Sequence, residues 1–398
     1  MKIACNLRAH LLNISSARSP LISKFSSQNM SSIYLDHNAT TDILPQVFSE
    51  VSPLYSKTLN ASSVHCLGRE AKGLIEQARL SVLNVLSAQE AEYSVVFTAT
   101  GTEANNLVLN NFSSDEVFIS SIEHPSIYNF SKLYKNFTVI GVTSDGVINL
   151  QELEEKLAAS PAQRKLISVM LANNETGIIQ PIAQVELLAR KYGAYLHTDA
   201  VQALGKIPVN IEQLGVDFMS ISAYKFGGII GAGALIYKTN FPLRSQLIGG
   251  GQEKSLRSGT ENVAAIVAMG KAADIISEEL EMRNKSLSDL RDELENNLRK
   301  QCPEVKIVGQ NMPRLPNTSL IINAKQKSET QIIGLDMKNI CVSAGSACSS
   351  GKISKSYVLS EMGYSSEEAG SAIRISFGMS NNMNEVKEFL TIYKELNI

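Results

Sequence analysis

The stretch DFMSISAYKFGG sets Lys225 just past an apolar segment and ahead of two glycines that let backbone approach a bound molecule closely. An amine so placed can form a Schiff base with an aldehyde when it is desolvated or set beside other cations. In YLHTDAVQ, Asp199 ends another apolar segment, where a buried carboxylate is costly without a cationic partner such as a protonated ring nitrogen. FTATGTEANN repeats the plan: Gly101 permits a tight turn and Thr102 opens a helix whose free N–H groups suit a phosphate. LANNETG likewise puts Asn173 and Asn174 after a strand. Taken singly, each has an ordinary reading, with Thr102 as a helix cap, Asp199 as a turn or cap residue, the asparagines as an Asx turn and Lys225 as an exposed cation. Taken together, the amine, the acid and the helix start meet the needs of pyridoxal phosphate: an aldehyde, a ring nitrogen and a phosphate.

Groups like these must be held by regular elements. From about residue 65, helical periodicity (EAKGLIEQARLSVLNVLSA, TEANNLVLNNF, PSIYNFSKLYK, IAQVELLARKYGA) alternates with short apolar segments (YSVVFTAT, EVFISS, FTVIGV, KLISVMLA, GALIYK). That alternation predicts an α/β fold with a mostly parallel sheet covered by helices, and such sheets take ligands beyond the carboxyl ends of their strands. Near residue 280, ISEELEMRNKSLSDLRDELENNLRKQ reads as a long charged helix leading into a smaller α+β unit. The expected division is a large cofactor-binding domain over 47–280 and a small domain made of 33–46 and 281–398. The small domain carries VSAGSACSSGK, in which Cys348 stands among residues too small to bury it.

Composition narrows the function. Lys and Arg total 37 against 39 Asp and Glu, so no general field favours nucleic acid or an anionic membrane, and a small-molecule substrate fits better. Apolar runs such as IIGAGALIY fall short of the roughly 20 residues a spanning helix needs. Five cysteines without CxxC spacing and five histidines without HxxxH grouping argue against a disulfide framework or a metal centre, and imply a reducing compartment. Residues 1–32 are rich in serine, carry Lys2, Arg8, Arg18 and Lys24, and hold no acid. This is transit-peptide composition, so the expected address is a mitochondrion-like matrix, with the cytoplasm as the alternative.

The segments YLDHNATT, TGTEANN, EHPSI, NNETG, HTDAVQALGK, SISAYK, GGGQEKSLRSGTEN and SAGSACSSG, in this order, resemble those of the cysteine desulfurases. These are fold-type I pyridoxal phosphate enzymes of the class V aminotransferase superfamily, and the likeness runs from about residue 33 to 390. It implies that Lys225 holds the cofactor, that Asp199 pairs with its ring nitrogen, and that His124 stacks on the ring and helps shuttle protons. By the same carry-over, Gly101, Thr102, Gln202 and Ser222 contact the phosphate or the ring hydroxyl region, and Asn174 approaches the ring oxygen. Thr260 reaches the phosphate from a neighbouring subunit, so a homodimer is implied. Arg374, in AIRISFG, resembles the arginine that binds the substrate carboxylate through paired hydrogen bonds, and Asn38 stands near the same end. Without the likeness, Arg374 would read as an edge-strand charge and His124 as a helix-entry residue.

The resemblance also implies the reaction: L-cysteine gives L-alanine and a persulfide on Cys348, as in the long-loop group whose members carry SGSAC where this chain has AGSAC. The sulfur would serve iron–sulfur cluster assembly and, as a further use, tRNA thiolation. In two features the chain departs from the family pattern. Tyr224 stands where most members have a histidine, and a phenol can donate a hydrogen bond to phosphate without becoming a cation near neutral pH. The stretch after Cys348 is also shorter than in members whose longer tail docks an iron–sulfur scaffold.

Overall fold

A computed structural model describes residues 32–345 and 355–396. Strand β1 (Ile33–Tyr34) comes first, followed by β2 (Tyr93–Thr98), β3 (Glu116–Ser120), β4 (Phe137–Ile140), β5 (Lys165–Ser168), β6 (Tyr195–Asp199), β7 (Phe218–Ser222) and β8 (Gly233–Lys238). The last seven form one sheet in the order β2-β8-β7-β6-β5-β3-β4. Only β8 runs against its neighbours, so β2, β3, β5, β6 and β7 all end on the same edge.

Both faces of this sheet are covered, which is why its strands read as nearly continuous apolar runs. Phe97, Phe118, Ile167 and Met219 point into one core, and their neighbours Val96, Val117, Leu166 and Phe218 into the other. The first core is closed by the helix Cys66–Val85 and the front half of the helix Val263–Gln301. Those two helices touch where Gly270 meets Ala78: a Cβ on Gly270 would sit 2.6 Å from the Ala78 Cα, so any side chain there forces them apart. The second core is closed by the helix Gly101–Asn111 through Ala104, Leu107 and Val108.

The remaining strands are β9 (Lys306–Ile307), β10 (Thr318–Ile322), β11 (Ile340–Cys341), β12 (Ser343–Ala344) and β13 (Ala372–Ser376). They make an antiparallel sheet ordered β12-β13-β10-β9, while β11 pairs with β1 in parallel. The charged helix expected near 280 is the rear half of a single 39-residue helix that begins at Val263, where the Asn262 side chain accepts the Ala265 N–H. Its first two turns, residues 263–270, are apolar and buried all round, which hides the helical period from a sequence reading. Ile276 still belongs to the large core, whereas Leu287, Leu290, Leu294 and Leu298 pack against the small sheet. PSIYNFSKLYK, expected to form one helix, is two short ones, Pro125–Tyr128 and Phe130–Leu133.

The other face of the small sheet meets the large unit. Leu320 and Ile322 of β10, with Val358 and Leu359, pack on Ile122, Met170 and Ile178 from the loops beyond β3 and β5. Burying such side chains is worth about 1.5–3 kcal/mol each, and this contact fixes β13 beside the strand ends of the large sheet. Among the described residues no helix is long and apolar enough to cross a membrane.

Candidate active site

The loops after β2, β3, β5, β6 and β7 surround a cavity of about 270 Å³, closed on one side by Asn38 and Arg374 from the small unit. Gly101 and Thr102 follow β2, His124 follows β3 and Asn174 follows β5. Asp199 and Gln202 come from the end of β6, while Ser222, Tyr224 and Lys225 come from the end of β7. The close approach of these loops requires Gly101, since a Cβ there would lie 2.9 Å from the Val201 Cγ2. The helix cap is Thr100, not Thr102: Thr100 has extended backbone and its hydroxyl accepts the Glu103 N–H. Thr102 therefore lies inside the first turn, which leaves its side chain on the cavity wall. Asn173 does form an Asx turn, its Oδ1 accepting the N–H groups of Glu175 and Thr176.

Lys225 is half-buried, and its Nζ donates to the carbonyls of Asn38 and Ala39 at 2.5 and 2.8 Å, lying 4.6 Å from the centre of the Tyr224 ring. Asp199 is buried, taking the Val201 N–H at Oδ1 and the Asn105 amide at Oδ2, at 2.9 and 2.7 Å. Asn105 also donates to Ser126, and Ser126 contacts the His124 Nδ1 through both its hydroxyl and its N–H. Because Nδ1 accepts that backbone N–H, the neutral His124 ring carries its proton on Nε2. Burial lowers the histidine's pKa, with Lys225 adding to the effect and Asp199 opposing it.

Arg374 belongs to an interior strand and is 2% exposed. Its Nη2 pairs with Asp36 at 2.7 Å, its Nη1 donates to the Asn174 carbonyl at 3.0 Å, and its buried Nε has no partner among the described residues. Thr260 is exposed and does not line this cavity. Its segment is anchored by Glu253, whose carboxylate takes two Arg79 nitrogens and the Phe97 N–H, in a turn where Glu253, Lys254 and Ser255 all have positive φ. Cys348 lies outside the described residues. On either side of it, Gly345 and Ser356 both abut the buried Glu175: a Cβ on Gly345 would sit 2.7 Å from Oε2, and the Ser356 hydroxyl donates to that oxygen at 2.5 Å.

The model of the family described as aminotransferase class V matches residues 33–389. A cysteine desulfurase IscS of Dictyoglomus turgidum is 35% identical over 375 residues, covering 92% of this chain and 94% of that one. Among solved structures, a NifS-like protein from Rickettsia africae superposes with a TM-score of 0.88 at 44% identity, over 92% of this chain and 99% of that one. A structure described as SspA in complex with cysteine reaches 0.75 at 27% identity, over 87% and 99%. The chain belongs to the class V aminotransferases, in their cysteine desulfurase branch.

Class V aminotransferases of this branch depend on pyridoxal phosphate, and the cavity fits that group on its own evidence. Ser222 Oγ and Asn174 Oδ1 are buried on the cavity wall with no partner among the described residues, a costly state that a polar ligand would relieve. An amine, a buried carboxylate and an imidazole share that wall with the start of an 11-residue helix. Lys225 would hold the aldehyde, Asp199 the ring nitrogen, and Thr102 with Ser222 the phosphate.

Three supporting residues escape a reading by strand ends. Asn105 falls inside the TGTEANN segment, one helical turn after Gly101, and that spacing is the signal that finds it. Asp36 carries no local signal, because its pairing with Arg374 spans 338 residues. Glu123, adjacent to His124, is fully buried; its Oε1 takes the Ser120 hydroxyl and the Met170 N–H, its Oε2 has no partner among the described residues, and burial pushes its pKa up to about 8. Because the folded pKa exceeds the unfolded one, Glu123 favours folding below about pH 4.5, and that contribution declines as pH rises toward 8. Relative to Glu123→Gln, which keeps both accepted bonds, wild type should lose stability between pH 5 and 7.5 by at most about 1.4 kcal/mol per pH unit. Urea unfolding across that range checks this, and parallel curves for the two proteins would contradict it. His197, by contrast, is a satisfied core histidine held between the Ser168 and Ser220 hydroxyls, with its pKa lowered by burial to about 3.

Proposed function

We propose that this chain takes sulfur from L-cysteine, releases L-alanine and leaves a persulfide on Cys348. The observation that carries this reading is the convergence of Lys225, Asp199, His124 and Arg374 on one cavity. When bound, pyridoxal phosphate supplies an electron sink that weakens bonds at the substrate's α-carbon. Arg374 binds the cysteine carboxylate, and Asp36 holds the guanidinium in place from the other side. Lys225 would anchor the coenzyme, and its amine, when free, would move the substrate's α-proton. His124, uncharged and protonated at Nε2, donates a proton within the site. The Cys348 thiolate attacks the substrate sulfur: a sulfur–sulfur bond forms as the carbon–sulfur bond breaks, and the carbon keeps the electron pair and then takes a proton. The products balance as alanine and a protein persulfide.

The persulfide feeds iron–sulfur cluster assembly through a scaffold acceptor, with tRNA thiolation as a second outlet. The working unit is a homodimer that brings Thr260 to the partner's phosphate site. In support, Thr260 is exposed and outside its own chain's cavity, and Val64 and Ile248 are 90% and 94% exposed on segments bridged by Gln252 and Ser62. The leader composition supports a mitochondrial or mitochondrion-derived matrix address.

Reconstituted with pyridoxal phosphate and given L-cysteine, the purified protein should release alanine in step with protein-bound persulfide. A keto acid as the main product would replace this reading with a transamination.

A further inference from the structure

Lys206 stands directly behind the reactive amine. It is 6% exposed, and its Nζ donates to Asn38 Oδ1 at 2.9 Å and Gln202 Oε1 at 2.7 Å. No carboxylate pairs with it among the described residues. The charged or titratable groups that face it are Lys225, Arg374, His37 and Arg283, of which His37 and Arg283 share a small second cavity with Lys206 and Lys225. Burial first, then Lys225 and Arg374, holds its pKa well below the usual lysine range. A neutral amine has two N–H donors, which matches the two amide oxygens it meets.

Both of those amides lead to Lys225. The Asn38 carbonyl accepts from the Lys225 Nζ at 2.5 Å and from the Gln202 Nε2 at 3.0 Å. The Asn38 side chain is fixed further by the Asn174 carbonyl, the Thr318 hydroxyl and the Asn317 amide. The 38–39 backbone thus receives the Lys225 amine in this structure. Among the described residues, Lys206 is the side chain that donates to both the Asn38 and the Gln202 amide oxygens.

We infer that Lys206 is a positioning residue: by clamping Asn38 and Gln202 it holds the 38–39 carbonyls where they receive the detached Lys225 amine and return it to one bonding position. The inference rests on the cofactor role of Lys225 proposed above. Its consequence is a faster covalent capture of the cofactor, because a small misplacement of a reacting group is expensive in rate.

The test mixes the apo form of the full chain with pyridoxal phosphate and follows the absorbance of the covalent adduct, verified by borohydride trapping on Lys225. Lys206→Met should slow capture about tenfold, and Lys206→Gln, which retains amide donors, should restore most of the rate. Lys206→Gln should keep the wild-type urea midpoint, so its rescue separates positioning from lost stability. Capture by Lys206→Met at the wild-type rate would overturn the inference, as would a slowing that tracks lost stability and is not rescued by glutamine. If wild type itself fails to capture the cofactor on Lys225, it is the reading of Lys225 that falls.

Discussion

Lys225→Ala is expected to leave a folded protein that no longer holds pyridoxal phosphate covalently and whose release of alanine from L-cysteine falls by at least ~10³-fold, about 4 kcal/mol in the barrier. The size of the effect follows from two tasks lost together, the anchoring of the cofactor and the movement of the α-proton. The fold should tolerate the change. The Asn38 carbonyl keeps the Gln202 amide as a donor, and removing the Lys225 charge relieves a repulsion felt by the buried Lys206. Dialysis followed by absorbance, together with a urea midpoint, checks both halves. A variant that retains adduct absorbance through dialysis would mean that another amine holds the cofactor.

Cys348→Ser is expected to separate cofactor chemistry from sulfur transfer. The protein should take up pyridoxal phosphate with the wild-type spectrum, because Lys225, Asp199, Thr102 and Ser222, the residues that would hold the cofactor, are unchanged. Alanine release should nevertheless fall on the order of 10³-fold, since a hydroxyl at neutral pH cannot supply the soft anionic nucleophile that attack on sulfur requires. Cys66, Cys302 and Cys341 cannot substitute. Cys302 is buried and the pKa values of Cys302 and Cys341 are raised by burial, both of which disfavour the thiolate, and Cys66 opens the helix Cys66–Val85, away from the cavity wall.

What could be read from the sequence was whatever a strand end announces. Lys225, Asp199, Asn174 and Gly101 each sit a few residues beyond an apolar run, and a largely parallel sheet gathers such positions on one edge by its topology. Two kinds of information were not local. The antiparallel β8 interrupts an otherwise parallel sheet, yet its run GALIYK looks like any buried strand. Contacts between the two units, such as Asp36 with Arg374 or Asn38 with Lys206, join residues far apart in the chain, so no spacing reveals them. Lys206 is the sharpest case. In HTDAVQALGK it resembles a solvent-facing lysine at the close of a turn, and only the folded chain sets it between Asn38 and Gln202 with no carboxylate beside it among the described residues. The misread helix start near 280 has the same origin, because an all-round buried, alanine-rich segment has no polar face to display a period.

The proposed chemistry comes down to where the substrate's sulfur atom goes. Wild-type protein loaded with pyridoxal phosphate and given sulfur-labelled L-cysteine should, after alkylation and peptide mapping, carry the label on the peptide containing Cys348 in proportion to the alanine released. Label on another cysteine, or alanine released at the wild-type rate by Cys348→Ser, would contradict the assignment.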